Sequence, residues 1–286
     1  MRLDGDGQTR IVPGPSGRSL AVCEWGAPDG QPMFVLHGTP GSRFLRHVEP
    51  AGVYTDIGAR VLTYDRPGYG LSTRFKGRRV ADAAADVAAI ADAIELRQFG
   101  VLGISGGAPC ALAVAALLPE RVTRCATVVG TAPMKAPGLD FFAGMDEEGQ
   151  VAWRRDEPAL EARWVELFGD LDANAESPPR SWSDEMSEAD AIMLDEALRE
   201  SVRQGSAGWV DDSLSLLTDW GFPLDKVVAP TTLMQARGDL GTPAAHGEWL
   251  VSQLPDAELV WVDGDHFGPR AEPEMALLRW VCQAVP

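Results

Sequence analysis

Six short apolar runs, spaced by stretches of helical periodicity, constrain this chain more than any other feature. They are Met33-Phe-Val-Leu-His37, Arg60-Val-Leu-Thr-Tyr-Asp65, Phe99-Gly-Val-Leu-Gly-Ile104, Cys125-Ala-Thr-Val-Val-Gly130, Thr231-Thr-Leu-Met-Gln235 and Glu258-Leu-Val-Trp-Val-Asp263. Near-continuous apolar segments of this length suit strands covered on both faces, as in a parallel sheet. Between the second and third, Val80, Ala84, Val87, Ile90, Ala91 and Ile94 recur at three- and four-residue spacing, which predicts a helix. Ala108 to Leu118 is small and apolar nearly all round and stops at Pro119, which suits a helix buried against the sheet. Further helices are expected after Thr242-Pro243 and from about Glu272 onward. Such alternation implies an α/β fold: a mostly parallel central sheet flanked by helices, with right-handed crossovers.

The alternation breaks between about Thr131 and Pro230, where helical patterns cover Gln150 to Phe168, Ser183 to Gln204 and Trp209 to Trp220. Residues 1–132 and 226–286 therefore read as the sheet-bearing core, and 133–225 as a helical insertion. From Leu139 to Asp225 there are 22 acids and 6 bases, so this stretch carries -16 of the chain's formal -17. Trp153, Trp164, Trp182, Trp209 and Trp220 fall here too. An acidic, Trp-bearing helical insertion after a sheet strand reads as a lid over the sheet edge. An ordinary helical subdomain has the same composition.

At 286 residues the chain can bury roughly three quarters of its unfolded surface, so no disulfide scaffold is required. The acidic excess repels phosphate backbones and anionic bilayers, which excludes nucleic acid and membrane surfaces as expected partners. Cys23, Cys110, Cys125 and Cys282 are scattered without C-x-x-C or Cys/His ligand spacing, so buried reduced thiols are expected and no metal or cofactor. The N-terminal MRLDGDGQTR lacks an apolar h-region and does not read as a secretory signal, so a cytoplasmic location is expected. A monomer or a homodimer fits equally.

Chemistry concentrates where runs end. Gly103-Ile104-Ser105-Gly106-Gly107 joins the third run to the apolar helix, and a serine on such a turn projects its hydroxyl clear of the sheet. His37-Gly38-Thr39-Pro40-Gly41-Ser42 follows the first run, where the Thr39 N–H can join the Gly106 N–H as an oxyanion hole. A serine nucleophile needs a base and an orienting acid. Of the four histidines, His37 reads as turn-stabilising, and His47 and His246 read as solvent-exposed bystanders. His266, in the loop after the last run, can reach back over the sheet edge. Asp239 holds the equivalent place after the preceding run and completes the order Ser, Asp, His. Asp265 is the rival acid. Ile104, Met134 and Phe267 sit beside these motifs, and Phe141, Trp153 and Trp209 lie in the insertion. With His37 and Gly38 they are the expected lining of a pocket for a small-molecule substrate.

The H-G-x-P-G turn, the Tyr64-Asp-Arg-Pro-Gly-Tyr-Gly70 segment, the G-x-S-x-G elbow and the terminal histidine together resemble the α/β-hydrolase fold family. The resemblance implies that the insertion is a helical cap lining the substrate pocket, and that Asp65 and Arg66 are structural. It also implies a cofactor-free Ser105–Asp239–His266 hydrolase acting on an ester, lactone or related acyl bond. Carbon–carbon bond hydrolases, perhydrolases and aminopeptidase-like relatives use the same triad. A non-catalytic small-ligand binding protein on this fold is the alternative from another class. Epoxide hydrolases and dehalogenases need a carboxylate nucleophile, and the tyrosines epoxide opening uses in the cap have no counterpart, since Tyr54, Tyr64 and Tyr69 all lie outside it.

Overall fold

The computed structural model describes residues 7–46, 52–171, 188–268 and 271–283. The strands are β1 (Arg10–Pro13), β2 (Ser19–Gly26), β3 (Gln31–Leu36), β4 (Ala59–Tyr64), β5 (Phe99–Ile104), β6 (Val122–Val128), β7 (Thr231–Ala236) and β8 (Ala257–Val262). The helices are α1 (Val53–Asp56), α2 (Asp82–Ala93), α3 (Ala108–Leu117), α4 (Glu147–Ala152), α5 (Glu157–Phe168), α6 (Glu188–Ser201), α7 (Ala207–Leu217), α8 (Ala244–Gln253) and α9 (Ala271–Val281). One sheet runs β1-β2-β4-β3-β5-β6-β7-β8, antiparallel between β1, β2 and β4 and parallel from β4 to β8.

All six apolar runs form the parallel strands. The sequence reading missed β1 and β2, the antiparallel edge. Glu24 interrupts the apolar character of β2, yet it is buried, because Arg60 on β4 reaches it with Nε at 2.8 Å and Nη2 at 3.0 Å. A strand polarised by a satisfied ion pair does not read as apolar. The expected helix over Gln150 to Phe168 is also two helices. Asp156 caps α5 by accepting the Ala159 N–H at 3.0 Å, and Pro158 in its first turn starts a new helix. In the expected Ser183–Gln204 helix, α6 begins the described part at Glu188, and residues 183–187 lie outside the described residues.

Alternation along the strands splits the core into two layers. Phe34, Leu36, Leu62 and Val101 face α2, α3 and α8, whereas Met33, Val35, Val61 and Leu102 face α1 and α9. Helix α3 is buried along almost its whole length, so its small residues bring it close to the sheet. All four cysteines are buried thiols, and burial pushes Cys125 and Cys282 up to about 12. Among the described residues no helix is long and apolar enough to cross a membrane.

Register sets up the site. Leu36 pairs with Gly103, Ile104 with Val128, Val128 with Met234, and Ala236 with Val262. The loops after β3, β5, β7 and β8 therefore leave the sheet along one edge. Strand order reverses between β3 and β5, so the turns after these two strands flank a crevice at the carboxyl edge.

Candidate active site

The elbow after β5 is built by glycine. Ser105 adopts φ 52°, a left-handed conformation that costs a side chain about 1–3 kcal/mol. A Cβ on Gly103 would fall 2.2 Å from the Gly107 carbonyl oxygen, and one on Gly107 would fall 2.3 Å from that of Leu36. Any other residue at either position would force the turn open. The strain holds Ser105 out of the sheet at the start of the 3-10 turn that leads into α3.

Ser105 Oγ lies 2.9 Å from His266 Nε2, and His266 Nδ1 lies 2.7 Å from Asp239 Oδ2. Three residues from three loops thus form one hydrogen-bonded chain along the sheet edge. Asp239 is 2 % exposed, and its second oxygen accepts the N–H groups of Gly241 and Thr242, each at 2.8 Å. Burial pushes its carboxyl up, but the hydrogen bonds from His266 and Thr242 outweigh this and leave it below the usual carboxylate range. The rival Asp265 turns its Oδ1 to the Phe267 N–H at 2.8 Å.

Sequence reasoning missed Thr242. Its hydroxyl sits 2.6 Å from Asp239 Oδ2, the same oxygen that meets the imidazole. The signal was local: an Asp three residues before a Thr-Pro helix start folds back onto the intervening N–H groups.

The turn after β3 stands against the elbow. A Cβ on Gly38 would lie 3.4 Å from Ser105 Cβ, and one on Gly106 would lie 3.4 Å from the Thr39 nitrogen and 2.2 Å from its Oγ1. The Thr39 and Gly106 amides are therefore neighbours beside the Ser105 hydroxyl. The chain of groups can pass a proton from Ser105 to His266.

The His37 ring is buried, with Nδ1 2.7 Å from the Gly38 carbonyl and Nε2 accepting the Arg66 N–H at 3.2 Å. That pairing assigns the proton to Nδ1. Burial, with the nearby Arg66 charge, holds its pKa well below the ordinary histidine value. Asp65 and Arg66 are also buried; Asp65 accepts the Arg43 N–H at 2.7 Å and the Leu71 N–H at 2.9 Å.

His246 corrects the sequence expectation. It is 0 % exposed, and its Nδ1 accepts the Ala132 N–H at 3.0 Å while Nε2 meets the Phe141 carbonyl at 2.9 Å. It pins the segment that leaves the core toward the insertion, a contact that no helical pattern around Thr242 encodes. His47 lies outside the described residues.

The expected lining residues divide. Phe141 is buried, edge-on to His246, Phe142 and Trp153. Ile104, Met134, Trp153 and Trp209 are half-buried, with Trp209 edge-on to Phe168. Phe267 is 69 % exposed and edge-on to the His266 ring. A cavity of about 360 Å³ lies elsewhere, between residues 76–79 and α7, lined by Lys76, Arg78, Asp211 and Ser215 among others.

The insertion meets the core through charge. Glu200 pairs with Arg43 at 2.7 Å, Glu196 with Arg46 at 3.1 Å and Asp211 with Arg74 at 2.8 Å. Asp212 pairs with Arg66 and, at 2.5 Å, with Arg78, and Glu157 pairs with Lys76 at 2.6 Å. Part of the acidity that marked the insertion in the sequence is thus neutralised by bases of the core.

Known proteins resemble this chain in sequence and in fold. The chain is 26% identical over 268 residues to the proline iminopeptidase of Neisseria meningitidis (serogroup A / serotype 4A), spanning 85% of each protein. It is 31% identical over 223 residues to the pimeloyl-(acyl-carrier protein) methyl ester esterase of Aromatoleum aromaticum, covering 73% of this chain and 81% of that one. The esterase from Exiguobacterium antarcticum shares its fold with a TM-score of 0.73 at 20% identity, over 96% of this chain and 100% of that one. The alpha/beta hydrolase fold family matches residues 31–269, from β3 through the loop that carries His266. A match of that extent makes this chain a hydrolase of the α/β-hydrolase fold family.

Proposed function

We propose that this hydrolase cleaves a carboxylic ester, lactone or related acyl bond of a small, largely neutral substrate through an acyl-enzyme on Ser105. One observation carries the reading: the continuous chain from Ser105 Oγ to His266 at 2.9 Å and from His266 to Asp239 at 2.7 Å, at a left-handed elbow.

His266 Nε2 takes the Ser105 proton as Oγ attacks the acyl carbon, and Asp239 holds the imidazole and offsets its developing charge. The oxyanion of the tetrahedral intermediate is held by the N–H groups of Thr39 and Gly106, aided by the helix start behind the elbow. Collapse expels the leaving alkoxide, which His266 protonates. Water, deprotonated by His266, then attacks the acyl-enzyme and returns free Ser105 and the acid. Ile104, Met134 and the exposed Phe267 border this space and line the acyl pocket, and the insertion between β6 and β7 serves as its cap. The relative that is itself a methyl ester esterase supports the bond type.

Hydrolysis of p-nitrophenyl esters by the wild-type protein, lost in Ser105→Ala, is the expected result. Absence of Ser105 labelling by a fluorophosphonate probe in the folded protein would refute the reading.

A further inference from the structure

Asp212 lies on α7, in the insertion, yet its carboxylate is buried against the turn after β3. Oδ2 accepts the Thr39 hydroxyl at 2.9 Å and the Tyr69 hydroxyl at 3.0 Å, together with Arg66 Nη2. Oδ1 accepts Arg78 Nη2 at 2.5 Å and meets Arg66 Nε at 3.4 Å. Burial alone would push this carboxyl up; Arg66 and Arg78 overcome that and hold it low, so it is an anion.

Arg66 carries the contact onward. It donates to the His37 carbonyl, to the Gly38 carbonyl at 3.0 Å and to Thr39 Oγ1 at 3.1 Å. The Gly38 carbonyl and the Thr39 N–H are opposite ends of one planar peptide unit. Fixing the carbonyl therefore fixes the direction of the N–H, and donors on the carbonyl polarise the amide into a stronger donor. His37 Nδ1 binds the same carbonyl from a second side.

The helix that brings Asp212 is itself seated closely. A Cβ on Gly208 would fall 2.6 Å from the Tyr69 ring, and one on Gly68 would fall 3.0 Å from Gly208 Cα. Gln204, just before α7, donates to the carbonyls of Gly70 and Ser72 at 2.9 and 2.8 Å.

We propose that Asp212 is a positioning residue for the oxyanion hole: through Arg66 and the Thr39 hydroxyl it fixes the Gly38–Thr39 peptide, so the hole is complete only when the insertion helix is seated. The proposal rests on the serine-hydrolase reading and extends it, because the insertion then completes the catalytic machinery as well as covering it.

The test compares the wild type with Thr39→Val, Thr39→Ser, Asp212→Asn and Asp211→Asn. Kinetics on p-nitrophenyl acetate give kcat and KM. The affinity of phenylboronic acid, which adds to Ser105 Oγ and places an oxygen in the oxyanion hole, reports the hole itself. Thr39→Val removes the side-chain link and keeps the amide and the buried ions. It is expected to lower kcat about 10- to 100-fold with KM within about twofold, and to weaken the boronate by a similar factor. Asp212→Asn follows the same pattern, and Thr39→Ser recovers at least about tenfold of the Thr39→Val loss. Asp211→Asn loosens the same helix through Arg74 at 2.8 Å and Arg78 at 3.5 Å, but touches neither Thr39 nor the Gly38 carbonyl, and leaves kcat within about twofold.

Wild-type kcat and boronate affinity in Thr39→Val overturn the proposal, as does an Asp211→Asn loss equal to that of Asp212→Asn. Should Asp212→Asn fail to fold, the Thr39 pair decides alone. A wild type whose Ser105 is not labelled by fluorophosphonate overturns the hydrolase reading and this one with it. An active wild type with unchanged variants overturns this one only.

Discussion

The Thr242 hydroxyl lies 2.6 Å from Asp239 Oδ2, the same carboxylate oxygen that meets His266 Nδ1 at 2.7 Å. One oxygen is thus held between a hydroxyl and an imidazole, while the other is held by two backbone N–H groups. The carboxylate has no freedom to rotate away from the ring. Thr242→Val removes one charge-assisted hydrogen bond, of the kind worth about 1.5–3 kcal/mol. Its kcat/KM on a p-nitrophenyl ester is expected to fall about tenfold or more, with Thr242→Ser close to wild type. Equal rates for all three proteins would show that Asp239 is oriented by its backbone contacts alone.

Gly106→Ala tests the neighbouring amide. The added methyl would sit 2.2 Å from Thr39 Oγ1, so the turn and the elbow must separate. Displacing the paired amides by a fraction of an ångström is expected to cost about 10²-fold in kcat. The fold should persist, since the clash, with Thr39 Oγ1 and Cβ, lies between two loops at the sheet edge and not in the core. Steady-state kinetics beside a thermal melt separate the two effects, and an unfolded variant contradicts the expectation as surely as an active one.

The parallel strands and the triad were legible because each depends on local pattern. A strand covered on both faces is apolar throughout, and a serine between glycines at the end of such a strand has few structural uses. Asp239 and His266 followed from the order of elements, and Asp265 was displaced only by geometry, its carboxylate turning to the Phe267 N–H. What stayed hidden depends on partners far along the chain. Glu24 breaks the apolar pattern of β2, and only Arg60, 36 positions on, accounts for its burial. His246 looked exposed until residues 132 and 141 closed on its ring. Asp212 and Arg66 are 146 positions apart, and a charge excess gives the sign of a partner without its address.

The seam between insertion and core should contain unequal pairs. Arg43 is 3 % exposed and faces both Asp65, at 2.5 Å, and Glu200, at 2.7 Å. Arg43→Ala leaves the buried Asp65 carboxylate with backbone N–H donors alone and Glu200 with Arg203 alone, and is expected to destabilise the protein by about 3 kcal/mol. Lys76, with its side chain 63% exposed, pairs with Glu157 in solvent, and Lys76→Ala should leave the melting temperature unchanged. Urea unfolding and thermal melts of the two variants check the contrast, and similar losses would mean that burial does not grade these pairs.

Two buried histidines make stability depend on pH. Burial holds both His37 and His246 below the ordinary value of 6.5, so in the folded protein each stays neutral where the unfolded chain accepts a proton. Their stabilising contribution is complete above the unfolded-state value and is lost as pH falls from there toward the folded-state values. Each histidine adds a slope of at most about 1.4 kcal/mol per pH unit within that window. His246→Gln removes one titrating group while keeping an acceptor for the Ala132 N–H and a donor for the Phe141 carbonyl. Unfolding free energies from urea titrations, stepped downward from pH 7, are expected to fall less steeply for the variant than for the wild type, by no more than that slope. Parallel curves would mean that His246 takes up its proton equally in the folded and unfolded states, with the Ala132 N–H giving up its contact to Nδ1 at no cost.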